Sequence, residues 1–150
     1  IKVLKYLGGS IEIDEVINAG DYHHFEQNVL PESHRVYSEK QWNNRVMSPS
    51  SLLFYVGVNK RVPGIEHHNL FFDTAFDQHA AEIYDQPQWP SHPLFYVCCP
   101  SKSDNTVAPE GKENLFILIP VAPNLEDTDI KREHYYNQVT ICYQLLQSRL

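Results

Sequence analysis

Short apolar stretches alternate with polar, turn-rich ones along the whole chain. Compact apolar runs occupy residues 51–58, 69–72, 94–99 and 115–121. Each is aromatic or β-branched in character and bounded by Pro, Gly, Asn or Asp, so each predicts a strand rather than a helix. Between the second and third runs, residues 76–84 have helical spacing. From Asp127 or Thr128 a final helix is expected to run to the end, with Asp129 in its first turn and Ile130, His134, Ile141 and Leu145 along one stripe. The strands follow one another without long crossover helices, which predicts antiparallel pairing and an α+β fold.

Before these runs, residues 1–7 and 10–17 read as two strands of a hairpin around Gly8-Gly9-Ser10. Ile11, Ile13 and Val16 are expected to face inward. Asp21 is placed to cap a helix over residues 21–30, which Pro31 ends or redirects. Residues 31–42 are polar and read as a short helix plus loop. The chain opens at Ile1 in strand sequence and stops at Leu150 within a helical pattern, so a piece of a longer protein is expected.

The two faces of the strands differ. In the first run Leu52, Phe54, Val56 and Val58 form a uniformly apolar face, and Leu53, Tyr55, Gly57 and Asn59 a mixed one. In the last run Leu115, Ile117, Ile119 and Val121 oppose Phe116, Leu118 and Pro120. Uniform faces pack on helices, whereas mixed apolar faces line binding sites. Both faces of such a sheet call for cover, and these residues supply one long helix. A second layer, a long apolar ligand or a partner chain is therefore implied.

Composition narrows the function. A hydrophobic content of 42%, 21% charged residues and a formal charge of −7 describe a globular chain with no basic stripe for a phosphate backbone, so nucleic acid is not an expected partner. The 3 cysteines, two of them the adjacent Cys98 and Cys99, form no disulfide framework and read as small core residues. No apolar run approaches the roughly 20 residues of a membrane-spanning helix, and no signal-peptide pattern opens the chain.

Motifs for chemistry are sparse. The 8 histidines include the pairs His23-His24 and His67-His68. Adjacent strand residues point to opposite faces, so such a pair is not expected to hold one ion, and no metal is expected. Ser48, Ser50 and Ser51 lack a nucleophile elbow, and Cys98 and Cys99 sit in an apolar run where a thiol is inert. Neither a dinucleotide fingerprint nor a phosphate loop is present, and Gly8-Gly9 reads as a turn. The segment from Pro100-Ser101-Lys102-Ser103-Asp104 to Ala108-Pro109-Glu110-Gly111 is motif-like. Pro109 presets a turn and Gly111 permits positive φ, so Asp104, Pro109, Glu110 and Gly111 are read as structural first, a hairpin-like connection.

Taken in order, several stretches resemble one family. They are Met47-Ser48-Pro49-Ser50-Ser51-Leu52-Leu53-Phe54-Tyr55-Val56-Gly57-Val58-Asn59-Lys60, His67-His68-Asn69-Leu70-Phe71-Phe72-Asp73, and the 100–111 motif. In order and spacing they resemble the middle of bacterial phytoene desaturases, within the flavin amine oxidase-like superfamily. Asn18-Ala19-Gly20-Asp21-Tyr22-His23-His24 resembles that family's exit from its flavin domain, and the match runs from about Ser10 to Tyr136.

The resemblance implies that residues 1–20 belong to or leave a flavin domain and that residues 21–150 form a substrate-binding α+β region on an antiparallel or mixed sheet. It implies an FAD-dependent carotenoid desaturase, a phytoene dehydrogenase, as the parent protein, with FAD held outside these residues. The expected substrate is a long apolar polyene precursor, and the expected location is peripheral to a membrane on its cytoplasmic side. Leu53, Tyr55 and Gly57 are the candidate substrate wall, joined by Phe116 and Leu118. No catalytic acid, base or nucleophile is assigned, and the isolated piece is expected to be inactive and to dimerise through an exposed apolar face. A carotenoid isomerase, ketolase or saturase is an alternative reading. So is a non-enzymatic module for apolar ligands or protein partners.

Overall fold

The computed structural model describes residues 2–72 and 74–147. Ile1 of the expected first strand, Asp73 of the second motif, and the side chains of Ile141 and Leu145 in the expected helix stripe lie outside the described residues. The chain divides between Val46 and Met47 into two compact units.

The first unit opens with a hairpin of β1 (Lys2–Tyr6) and β2 (Gly9–Ile13), paired antiparallel with Leu4 opposite Ile11. The turn is Leu7-Gly8, one position earlier than the glycine pair suggests, and β2 stops at Ile13 rather than 17. Ile11 and Val16 are exposed rather than inward. A two-stranded ribbon has no second layer to bury a face against. Helix α1 (Tyr22–His24) starts at Asp21, whose side chain accepts from the His24 N–H as expected of an N-cap. It continues as a π-helical turn, Phe25–Val29, and Pro31 redirects the chain into a 3₁₀ turn, Glu32–His34. Helix α2 (Glu39–Asn43) has a complete capping box between Ser38 and Gln41.

Glu26 organises the rest of this unit. Its buried carboxylate accepts from Trp42 Nε1–H at 2.6 Å, the Val36 N–H at 2.6 Å, the Tyr37 N–H at 3.1 Å and the Tyr22 hydroxyl at 3.2 Å. Tyr22, Tyr37 and Trp42 meet edge-to-face around it, and the Arg45 guanidinium lies over the Tyr37 ring.

The second unit holds a four-stranded antiparallel sheet in the order β3-β6-β5-β4. Its elements in chain order are β3 (Ser50–Val58), β4 (His68–Phe71), α3 (Phe76–Tyr84), β5 (Phe95–Cys98), β6 (Glu113–Val121) and α4 (Asp129–Gln147). All four expected strands and both expected helices are therefore present, and the fold is α+β. Long β3 and β6 pair along their whole length, from Ser50 opposite Val121 to Val58 opposite Glu113.

One face of this sheet is the core. Leu52, Phe95, Val97, Leu115, Ile117, Ile119 and Val121 are buried on it, with Phe54, Val56 and Val58 packed at its margin. Among its described side chains, helix α4 covers it through Tyr135 and Val139, whereas Ile130 and His134 of the expected stripe are exposed. The buried stripe is set by where the helix lands. Phe54 meets Tyr136 at 5.4 Å, and the Tyr135 hydroxyl donates to the Pro90 carbonyl at 2.7 Å. Cys99 is fully buried, as expected of a small core residue, but Cys98 is only half-buried because it faces the other side of the sheet.

Two buried carboxylates hold loops of this unit, one to a helix and one to the sheet. Glu82 of α3 accepts from the Ser91 N–H at 2.9 Å and the Ser91 hydroxyl at 2.6 Å. Glu113, at the start of β6, pairs with Lys102 at 2.9 Å and Arg61 at 3.5 Å, and accepts from the Val62 N–H at 2.7 Å. Burial works to raise both carboxyls, as it does Glu26, yet the donors aimed at each outweigh it and hold all of them below the usual 4.5. A carboxyl depressed on folding stabilises fully above its unfolded value and loses that contribution as pH falls through the folded one. The urea midpoint is therefore expected to hold between pH 7 and 5 and to drop steadily below the usual glutamate value of 4.5. A midpoint unchanged at pH 3 would contradict the role given to these groups.

Candidate functional site

The other sheet face is built from the mixed positions of the strands. Across it Leu53 pairs with Leu118, Tyr55 with Phe116, and Gly57 with Asn114. The same rows continue through Tyr96 and Cys98 of β5 to Leu70 and His68 of β4. Since directly paired residues share a face, Leu53, Tyr55, Gly57, Phe116 and Leu118 all stand on this one side. The period-2 alternation that turns Leu52, Phe54 and Val56 into the core turns these outward.

This side is apolar and open. Tyr55 is 80% exposed, Leu70 67% and Leu53 41%, while Phe116 and Leu118 are half-buried by their neighbours. Tyr55 and Phe116 pack at 5.3 Å, and Tyr96 meets Phe116 edge-on at 6.5 Å. Over the Gly57 end lies a concavity of about 630 Å³, bordered by Tyr55, Gly57, Tyr96, Cys98, Pro100 and Phe116. Leu53 and Leu118 extend the surface one pair further along β3 and β6. At Gly57 an added Cβ would meet no atom of the chain within 4 Å. The glycine keeps the floor of the concavity low.

Tyr96, Cys98, Leu70 and His68 belong to this face but escaped sequence reasoning. Strands of four residues, β4 and β5, give too few alternations to assign sides from sequence alone. The alternation of Phe95 and Val97 with Tyr96 and Cys98 is the signal that carries the information. Titratable groups on the face include the Tyr55 and Tyr96 phenols, the Cys98 thiol and the His68 imidazole. The Cys98 thiol beside it, with burial, raises the Tyr96 phenol above its usual 10.0, so it stays protonated near neutrality.

The motif turn borders the concavity through Pro100. The 3₁₀ turn Pro100–Lys102 is pinned to β6 by reciprocal bonds, the Ser101 N–H to Asn114 Oδ1 at 3.2 Å and the Asn114 N–H to Ser101 Oγ at 3.3 Å. Asp104 accepts from the Thr106 N–H and hydroxyl at 2.8 and 2.7 Å, and the Thr106 hydroxyl holds its carboxyl below the ordinary range. The Pro109 carbonyl accepts from the Lys112 N–H at 3.0 Å, closing a turn in which Gly111 adopts φ +75°. Glu110 is exposed beside it. These contacts connect β5 to β6, which do pair antiparallel.

Among the described residues, neither long helix opens on a pyrophosphate-binding glycine loop. The two helices of eight or more residues, α3 and α4, start without glycine and carry Asp77 and Asp129 in their first turns, which repel a pyrophosphate. No described helix is long and apolar enough to cross a membrane.

No protein-family model matches the chain. Individual proteins do. The chain is 42% identical over 132 residues to a carotenoid 3,4-desaturase of Haloarcula japonica, a match covering 88% of this chain and 27% of that protein. It is 35% identical over 120 residues to a phytoene desaturase of Cercospora nicotianae, covering 80% of this chain and 19% of that protein. It is 29% identical over 126 residues to a zeta-carotene-forming phytoene desaturase of Myxococcus xanthus, covering 84% of this chain and 24% of that protein. The chain thus spans about a quarter or less of the length of these relatives. Over most of its length it is similar to one segment of these longer carotenoid and phytoene desaturases.

Proposed function

We propose that this chain forms one wall of the substrate path in an FAD-dependent carotenoid desaturase, with a long apolar polyene lying along the open face of the sheet. The observation that carries the reading is the convergence of Leu53, Tyr55, Gly57, Phe116 and Leu118 on one exposed apolar face beside a concavity. A hydrocarbon offers almost no hydrogen-bonding handles, so its recognition rests on apolar area at about 25 cal/mol per Å². A face of leucines and aromatic rings supplies that area, and Gly57 lets the guest approach the backbone. FAD is the oxidant the family reading calls for, and regions beyond these residues hold it. The wall's part is to orient the chain of the substrate and to keep water from it.

The polyene dissolves in lipid, so the parent protein works at a membrane surface. The test is anaerobic mixing of the full-length protein, loaded with FAD, with phytoene or a partly desaturated carotene in liposomes. Bleaching of the flavin together with a longer polyene chromophore is expected. A protein that shows neither with any carotene would overturn the reading.

Alone, the 150-residue chain leaves this face uncovered. It is expected to dimerise or to bind an environment-sensitive hydrophobic dye, with Tyr55→Ser and Leu53→Ser lowering the fluorescence several-fold. A monodisperse, dye-silent monomer would show that the face is not sticky enough for this role.

A further inference from the structure

His67 and His68 do not behave as neighbours in a strand. His67 precedes β4, which starts at His68, so alternation does not separate the two side chains. Their rings lie 4.2 Å apart and tilted by 43°. The expectation that such a pair points to opposite faces therefore fails here, for a local reason. Because His68 pairs with Cys98, the same corner of the sheet also presents a thiol. One ligand atom from each of His67, His68 and Cys98 lies within 4.8 Å of the other two.

We propose that His67, His68 and Cys98 form a binding site for a Zn²⁺-type ion at the rim of the concavity. Two imidazoles and a thiolate are a borderline-soft donor set that suits zinc and excludes the hard cations Mg²⁺ and Ca²⁺. Donors around a tetrahedral zinc stand about 3.5 Å apart, so modest side-chain rotations close the observed cluster onto one ion. The outer contacts also fit. His67 Nδ1 is hydrogen-bonded to the Ser103 hydroxyl, and His68 Nδ1 to the Tyr96 hydroxyl at 2.6 Å. A ligating imidazole keeps one nitrogen for such a partner and gives the other to the metal. His68 is exposed, and His67 and Cys98 are half-buried, which leaves an entry path.

The bound ion would clip the start of β4 and the Pro100 turn, which carries Ser103, to the end of β5. Three protein donors leave a tetrahedral ion at least one position for water or an exogenous ligand. Since Cys98 and Tyr96 also border the concavity, that ligand would sit at its edge. The site stands on these three side chains and does not depend on the desaturase reading.

The test is titration of the reduced chain with Co²⁺ followed by Zn²⁺. Cobalt is expected to bind at one equivalent with a thiolate-to-metal charge-transfer band in the near ultraviolet, and zinc to displace it. Cys98→Ser should abolish the band. His68→Gln, at an exposed position where folding is not at stake, should weaken binding at least about tenfold. Zinc should also raise the melting temperature of the wild type and leave that of Cys98→Ser unchanged. Absence of the band in folded wild type, its persistence in Cys98→Ser, or full affinity in His68→Gln would each overturn the assignment.

Discussion

Phenylalanine in place of Gly57 is expected to cut carotene turnover by the full-length protein at least about tenfold, equivalent to about 1.4 kcal/mol of barrier, without lowering its stability. The physical case rests on two facts about that position. An added Cβ meets no atom of the chain within 4 Å, and the residue borders the concavity on the open face. Replacing a strand glycine with a β-former ordinarily stabilises by roughly 0.5–1 kcal/mol. Folding should thus hold or improve while the space for a polyene above the sheet is filled. Ile130→Ala, at a position 80% exposed on α4, serves as the surface control and should leave turnover unchanged. Wild-type turnover in the glycine variant would remove Gly57 from the substrate path.

Loss of the Glu113 carboxylate is expected to be the most destabilising single change considered in the second unit. Glu113→Ala leaves the partly buried Lys102 ammonium with the Val62 carbonyl but without its counter-charge, and leaves the Val62 N–H without its acceptor. Breaking a buried pair from one side costs about 3–5 kcal/mol, because the surviving charge keeps its desolvation penalty. Glu113→Gln retains an acceptor for Val62 and should fall in between. Urea denaturation of the three proteins at pH 7 measures this directly, and a cost below about 1 kcal/mol for the alanine would show that solvent reaches the pair. The same carboxylate anchors Lys102 of the motif turn, so its removal should also loosen the Pro100 side of the concavity. The fold and the candidate wall are coupled at this residue.

Much of this architecture was legible in the residue pattern. Runs such as 115–121 alternate so regularly that strand identity, face and burial follow from the period of 2 alone, and the structure buries Leu115, Ile117, Ile119 and Val121 accordingly. The N-cap at Asp21 and the helix from Phe76 to Tyr84 follow from local chemistry in the same way. Elements whose environment is supplied from a distance were not legible. Among the described side chains of α4 the buried ones are Tyr135 and Val139 and not Ile130 and His134, because several stripes of that helix are partly apolar and only docking on Phe54 and Pro90 selects one.

The candidate site divides along the same line. Leu53, Tyr55, Gly57, Phe116 and Leu118 could be named from alternation and from the family likeness, since each sits in a strand long enough to have two distinct sides. That they form one surface, that Tyr96 and Leu70 extend it, and that its floor is hollow at Gly57 depends on the order β3-β6-β5-β4 and on register. The meeting of His67 and His68 with Cys98 is of this second kind. By itself the sequence determined the strands, their greasy sides and the kinship with carotenoid desaturases, because these are properties of neighbouring residues and of their order. Only the tertiary structure decided which residues distant along the chain share a surface, because pairing partners and helix docking are chosen by contacts that no local window contains.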